Sequence, residues 1–206
     1  MRNIPEKTIE RMSLYRQMLL EYIIEGRQFI FSHQLAGLLH FTSVQVRRDL
    51  MLIGYSGTIR KGYDAGELIK KIGRILDAQD IQRIAVIGAG NIGRAIISYF
   101  DGKRAKLSIV AAFDIDEQKC NRIISNVFCY HLDLLNEIIP KENISIAIIT
   151  TPPEQAAKVA EKLVEAGIKG ILNYTSAKLN VPSHVYIEEY DIITSLEKTA
   201  YFARCK

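Results

Sequence analysis

One stretch, Ile84 to Ala95 (IAVIGAGNIGRA), constrains the fold more than any other. An apolar run leads into Gly-x-Gly-x-x-Gly, and a helical pattern follows. Strand, tight turn and helix in that order form the entry to a dinucleotide-binding βαβ unit. Gly88 permits the turn. Gly90 has no side chain, so a pyrophosphate can approach the backbone. Gly93 lets the helix pack close to the sheet. Asn91 and Ile92 open that helix, with amides directed at phosphates. Together with Ala89 these residues form the core of the expected cofactor-binding set.

The remainder of the C-terminal half supports the same architecture. IAVIG, LSIVAAFD, ISIAIITT and GILNY are short apolar runs, as strands buried on both faces should be. Helical stretches such as PEQAAKVAEKLVEAG separate several of them, which predicts a parallel sheet with helices on both sides. Pro152 and Pro153 stand where that helix begins and Gly167 where it ends. Asp114 closes the second strand, where a carboxylate can accept both ribose hydroxyls of NAD(H) and repel a 2′-phosphate. Its distance from the glycines is a little longer than the usual spacing of about 20 residues, and Asp116 is the alternative acid. Thr151 and Pro152 complete the set. A fold of this kind could also take another nucleotide, such as CoA.

The first eighty residues follow other rules. PEKTIERMSLYRQMLLEYIIEG is helical, with Ile9, Met12, Leu14, Leu19, Ile23 and Ile24 near one face. Ser13 could cap a second helix after a short first one, and Gly26 suits a C-terminal stop. QFIF is short and β-prone. Ser32 is expected to cap HQLAGLLH. A turn through His40 to Thr42 leads to Ser43, which opens VQVRRDLMLIG. Two short helices with a tight turn form a helix-turn-helix. YSGTIRKGYD then resembles a wing hairpin with Arg60 and Lys61 near its tip, and AGELIKKIGRILDAQD returns to amphipathic helix.

Charge follows the same division. Residues 1–83 carry 13 Lys and Arg against 9 Asp and Glu, while residues 84–206 carry 14 against 14. The excess of four positive charges therefore sits in the helical preface. In a helix-turn-helix the second helix enters the major groove and its early residues meet base edges. Here those residues are Ser43, Gln45, Arg47 and Arg48; Arg can pair with guanine and Gln with adenine. Arg60 and Lys61 suit phosphates or a minor groove. The competing reading makes Arg47 and Arg48 a solvated face paired with Asp49 or Glu67.

Other classes fit poorly. No metal-ligand pattern is present, and Cys120, Cys129 and Cys205 form no CxxC motif, which suggests a reducing compartment. No leader-like segment and no apolar run of about 18 residues occurs, so a cytoplasmic protein is expected. An NAD-dependent oxidoreductase would need a substrate domain and a proton donor. The sheet extends from about Ile84 to about Asp191, leaving some fifteen residues, so no catalytic residue is expected. A sensor of a CoA-type nucleotide, or of thiol oxidation, is a further alternative.

Read end to end, the chain resembles the Rex family of NADH-responsive transcriptional repressors. IPEKTIERMSLY, SHQLAGLL, VQVRRDL, GYSGTIRKGYD, GAGNIGRAIISY, VAAFDIDEQK, YHLDLL, AIITTPPEQAA, LVEAGIKGILNY, LNVPSHV and DIITSLEKTAYF follow in family order. The resemblance implies an α/β protein with a winged-helix DNA-binding domain at 1–80 and a Rossmann NAD(H)-binding domain at 81–192. A helix at 193–206 would be exchanged in a homodimer. It implies double-stranded operator DNA with an inverted repeat as partner, and NADH or NAD⁺ as the sensed ligand, with NADH releasing the DNA. It assigns Arg11, Tyr99 and Asp191 to the switch between the two states. The chain departs from the family pattern at Met51 to Ile53, in the wing at Thr58 and Ile59, and at His40, where a turn glycine is common.

Overall fold

In the computed structural model, residues 4–58, 60–100 and 104–204 are described. The chain divides into two compact units, Met1–Gln79 and Asp80–Lys206.

The first unit opens with one helix, α1 (Glu6–Ile24). Ser13 lies inside it, so the expected break and cap are absent. Its buried face is Thr8, Met12, Tyr15, Leu19 and Tyr22, spaced alternately by four and three. Leu14, Ile23 and Ile24, expected on that face, are exposed. The reason is amphipathic tyrosine: each ring fills the core while its hydroxyl keeps a partner. Tyr15 donates to Asp49 at 2.8 Å, and Tyr22 to the Phe29 carbonyl at 3.0 Å.

Strand β1 (Phe29–Ile30) pairs antiparallel with β2 (Tyr63–Asp64). Between them lie α2 (Ser32–Leu39) and α3 (Ser43–Leu52). Ser32 is the first helical residue rather than the cap. Phe31 precedes the helix, and its amide donates to the Gln34 side chain at 2.8 Å. Thr42 caps α3, accepting from the Gln45 amide at 3.2 Å. His40 sits between the helices at φ 56°, in the left-handed region; that conformation explains why glycine suits the position. A bridge between Thr58 and Gly62 forms the wing, and Asp64 caps α4 (Ala65–Leu76) by accepting from the Glu67 amide. Met12, Tyr15, Leu19, Ile30, Leu35, Val46, Leu50, Leu68 and Ile72 form the core.

The second unit begins with β3 (Gln82–Ile87), α5 (Asn91–Phe100) and β4 (Leu107–Asp114). Next come β5 (Arg122–Ile124), β6 (Val127–His131) and, after a short 3₁₀ turn, α6 (Leu135–Lys141). Then follow β7 (Ile144–Ile149), α7 (Pro153–Glu165), β8 (Gly170–Asn173), β9 (Tyr186–Glu189) and α8 (Ile192–Arg204).

The sheet order is β5-β6-β4-β3-β7-β8-β9. Every neighbouring pair is parallel except β5–β6. The six parallel strands therefore follow the doubly wound order 3-2-1-4-5-6. Alternation within β3 divides the core: Ala85 and Ile87 join one apolar cluster, Ile84 and Val86 the other. β5, β6 and β9 are not among the strands expected from sequence. β5 and β9 are the edges of the sheet, and β6, though paired on both sides, carries an exposed Phe128 and half-buried Tyr130 and His131, so all three lack the continuous apolar signature of the other strands.

Candidate nucleotide cavity and DNA-reading surface

A cavity of 590 Å³ opens at the carboxyl ends of β3, β4 and β7, lined by Gly88, Gly90, Asp114, Asp116, Lys119, Thr150, Thr151 and Pro152 among others. This is the crevice where strand order reverses, the place where doubly wound sheets bind ligands.

The glycines have three separate duties. Gly88 has φ 100°, and a Cβ there would lie 2.9 Å from the Thr150 backbone. Gly93 is packed harder still: its Cβ would fall 2.0 Å from the Gly88 carbonyl oxygen. Gly90 faces open space, with nothing within 4 Å of an added Cβ. That emptiness is what a pyrophosphate needs at the start of a helix. Arg94 fixes the turn from outside, its Nε donating to the Ala89 carbonyl at 3.0 Å.

Asp114 ends β4 and is 8% exposed. Its Oδ2 accepts from the Ala89 amide at 2.7 Å and its Oδ1 from the Asp116 amide at 2.9 Å. The carboxylate is thus aimed along the glycine turn. Asp116 stands further out, its pKa lowered first by the Gln118 amide. Lys119 bridges both acids, 3.6 Å from Asp114 and 3.3 Å from Asp116. Burial alone would lower the lysine's pKa, but the two carboxylates raise it. Lys119 is not among the residues expected from sequence; its place in DIDEQK, five residues after Asp114 and three after Asp116, is the signal that points to it. On the opposite wall, the Thr151 hydroxyl oxygen is buried without a hydrogen-bond partner among the described residues. Such an orphan normally has a ligand or water to satisfy it. The residues present therefore fit a dinucleotide. Tyr99 lies exposed near the end of α5, and Asp191 caps α8, accepting from the Thr194 hydroxyl at 2.6 Å and the Ile193 amide at 2.9 Å.

On the first unit, α3 presents Arg47 and Arg48 to solvent, with Ser43 and Gln45 half-buried near its start. The Arg47 guanidinium donates to the Ser32 hydroxyl at 3.3 Å. Asp49 and Glu67 are taken by other partners: Asp49 by Arg11 and Tyr15, Glu67 by Tyr55. Arg60 and Lys61 are exposed on the wing, and Lys61 lies 5.4 Å above the Phe29 ring. Arg11, expected to act in the switch, is held in the same unit by Asp49 and by the Thr8 hydroxyl at 2.9 Å.

Known proteins share this arrangement. Residues 79–177 match the family model described as a CoA binding domain, and residues 3–50 match one described as a putative DNA-binding protein N-terminus. The redox-sensing transcriptional repressor Rex of Geobacillus kaustophilus is 36% identical over 201 residues, covering 98% of this chain and 94% of its own. The Rex of Leuconostoc citreum is 35% identical, with 97% and 92% covered. Among solved structures, the Rex-family repressor RSP in complex with β-NAD⁺ and operator DNA superposes with a TM-score of 0.90 at 28% identity, covering 98% of this chain and 94% of that one. RSP with β-NADH gives 0.87 at 28% identity, with both chains fully covered. With that identity sustained over nearly its whole length, the chain belongs to the Rex family of redox-sensing transcriptional repressors.

Proposed function

We propose that this chain is a DNA-binding repressor that senses the NADH/NAD⁺ ratio and releases its operator when NADH binds. It is not an enzyme. The observation that carries the reading is the pairing, in one chain, of two features. One is an open glycine cradle facing a ribose-directed carboxylate; the other is a winged helix-turn-helix with exposed arginines on its second helix. Rex relatives named as redox-sensing repressors match both halves.

Gly88, Ala89, Gly90, Asn91, Ile92 and Gly93 would hold the pyrophosphate, Asp114 the adenosine ribose, and Thr151 and Pro152 the nicotinamide side. NAD⁺ carries a positive charge on the nicotinamide ring that NADH lacks. An apolar wall favours the neutral ring, because burying an unpaired charge is costly. Arg11, Tyr99 and Asp191 would link ring binding to the position of the DNA-reading units. In that account the Arg11 guanidinium has a second acid, Asp49, to hold it in the other state. Ser43, Gln45, Arg47 and Arg48 would meet base edges, and Arg60 and Lys61 the backbone.

Two copies are required to read an inverted repeat. The C-terminal helix supports a homodimer: none of its described residues is buried, and Ile192, Ile193, Leu196, Tyr201 and Phe202 are exposed. We assign the winged helix to 1–80, the Rossmann domain to 81–192, and the exchanged helix to 193–206. No described helix is long and apolar enough to cross a membrane, and a repressor acts where the chromosome is, in the cytoplasm.

A CoA-type ligand is the second reading, favoured by the name of the matched family model. Asp114 opposes it, since CoA carries a phosphate on the ribose that this carboxylate would face. The test is release of a duplex enriched by the protein from a random library, followed by fluorescence anisotropy. NADH should displace the duplex at concentrations where NAD⁺ and CoA do not. Displacement by CoA alone would transfer the site to the second reading.

A further inference from the structure

Two of the three cysteines, nine residues apart in sequence, meet beside the nucleotide cavity. Cys120 ends the turn that follows Asp114, and Cys129 lies on β6 next to β4. The Cys120 Sγ lies 3.3 Å from the Asp114 carbonyl oxygen and 3.7 Å from that of Tyr130. The Cys129 Sγ lies 3.9 Å from the same Tyr130 oxygen. The two sulfurs thus flank one carbonyl oxygen. The Asn121 amide donates to the Cys129 carbonyl at 2.8 Å, which holds the two backbone segments side by side. Both cysteines are free and buried, Cys120 at 5% and Cys129 at 0% exposure. Cys205 lies outside the described residues.

We infer that Cys120 and Cys129 form a dithiol–disulfide pair in the cavity wall, oxidised by low-molecular-weight disulfides, and that closing it weakens nucleotide binding at Asp114. The second clause rests on the NADH reading above. The Cys120 thiolate, the more accessible of the two, attacks one sulfur of the small disulfide. That sulfur–sulfur bond breaks and a first small thiolate leaves. The Cys129 thiolate then attacks the Cys120 sulfur, the mixed disulfide breaks, and a second small thiolate leaves. The two cysteine protons end on the two small thiols. The protein loses two electrons and the small disulfide gains them.

Oxidation removes the thiol hydrogen that Cys120 offers to the Asp114 carbonyl. The sulfurs must also close to bonding distance, about 2.05 Å, which pulls the turn carrying Asp116 and Lys119 against β6. The ribose carboxylate thereby loses the setting that aims it. Burial raises both thiol pKa values, that of Cys129 to about 11, and the neighbouring carboxylates raise that of Cys120 further. The exchange is therefore slow near neutrality and accelerates as pH rises. The Lys119 ammonium, which adjoins Cys120 in sequence, is spent on the two carboxylates and does not activate the thiol.

The full-length protein is incubated with oxidised glutathione at pH 9, alkylated and digested with trypsin. Cleavage after Lys119, Arg122 and Lys141 places Cys120 on the peptide 120–122 and Cys129 on the peptide 123–141, apart from Cys205. The expected result is a disulfide joining those two peptides, reversed by dithiothreitol, with NADH bound severalfold more weakly in the oxidised form. Cys129→Ala, whose lost thiol faces the Tyr130 carbonyl rather than Asp114, should bind NADH as the reduced protein does and lose the joined peptides. Recovery of both cysteines separately alkylated would overturn the pair. A joined pair with unchanged NADH affinity would overturn its control of the site. Reduced protein that binds no NADH would remove the nucleotide reading and that control together, while the peptide map would still decide whether the disulfide closes.

Discussion

Arg11 grips Asp49 with both arms of its guanidinium, Nε at 2.6 Å from Oδ2 and one terminal nitrogen at 2.8 Å from Oδ1. Tyr15 donates to the same carboxylate, so two side chains of α1 make three hydrogen bonds to one buried acid on α3. The hydrogen bond it donates to Asp49 raises the Arg11 pKa, and burial raises that of Tyr15, so both stay protonated at any physiological pH. The arrangement ties α1 to α3, the helix that would read DNA.

Asp49→Ala should therefore destabilise the first unit. It leaves a largely buried guanidinium and a tyrosine hydroxyl without their acceptor, at a cost of about 3 kcal/mol. Urea unfolding followed by far-ultraviolet circular dichroism checks this, and Asp49→Asn should recover part of the loss. A variant as stable as the parent would mean that the ion pair contributes nothing net.

Gly90 and Gly93 should separate binding from folding. Gly90→Ala places a methyl in open space and should leave the melting temperature unchanged. The same methyl occupies pyrophosphate volume, so NADH affinity should drop by at least about tenfold, or ~1.4 kcal/mol. Gly93→Ala drives a methyl into the Gly88 carbonyl and should lower both stability and binding. If both variants melt alike, the close approach of α5 to the glycine turn is not what Gly93 provides.

The dinucleotide half was legible because its signals are local. The glycine turn, Asp114 at a strand end and the proline-to-glycine limits of α7 each follow from steric rules at single residues. The helix-turn-helix was legible for the same reason. The seam of α1 was not, because Tyr15 and Tyr22 count as polar in a periodicity argument while their rings complete the core. The Cys120–Cys129 meeting was also beyond reach. It depends on the β5–β6 hairpin, whose short, half-exposed strands carry no strong pattern. Lys119 was in plain view, but only the folded turn shows that it serves both acids.

Alkaline titration should weaken the first unit through Tyr55. Burial, then its hydrogen bond to Glu67, raises this phenol from about 10 to about 12. A raised folded-state pKa means the unfolded chain releases its proton first. Stability is therefore fully present below pH 10 and declines from there to pH 12. Tyr55→Phe should flatten that decline relative to the parent. An unchanged slope would assign the alkaline loss to other groups.

The exposed apolar residues of α8 should be covered in a dimer. Leu196→Glu with Phe202→Glu should shift the protein toward monomer in sedimentation equilibrium and lower its affinity for an inverted repeat far more than for a half-site. A double variant that remains dimeric would place the interface elsewhere.

The most direct test of the sensor account is a paired titration of the purified protein with NADH and NAD⁺. The chain contains no tryptophan, so the ligand's own fluorescence reports NADH binding without that background, and calorimetry reports NAD⁺. The account predicts saturable binding of NADH that is at least about tenfold tighter than that of NAD⁺, a difference of ~1.4 kcal/mol. Equal affinity for the two forms, or no binding of either, would contradict it.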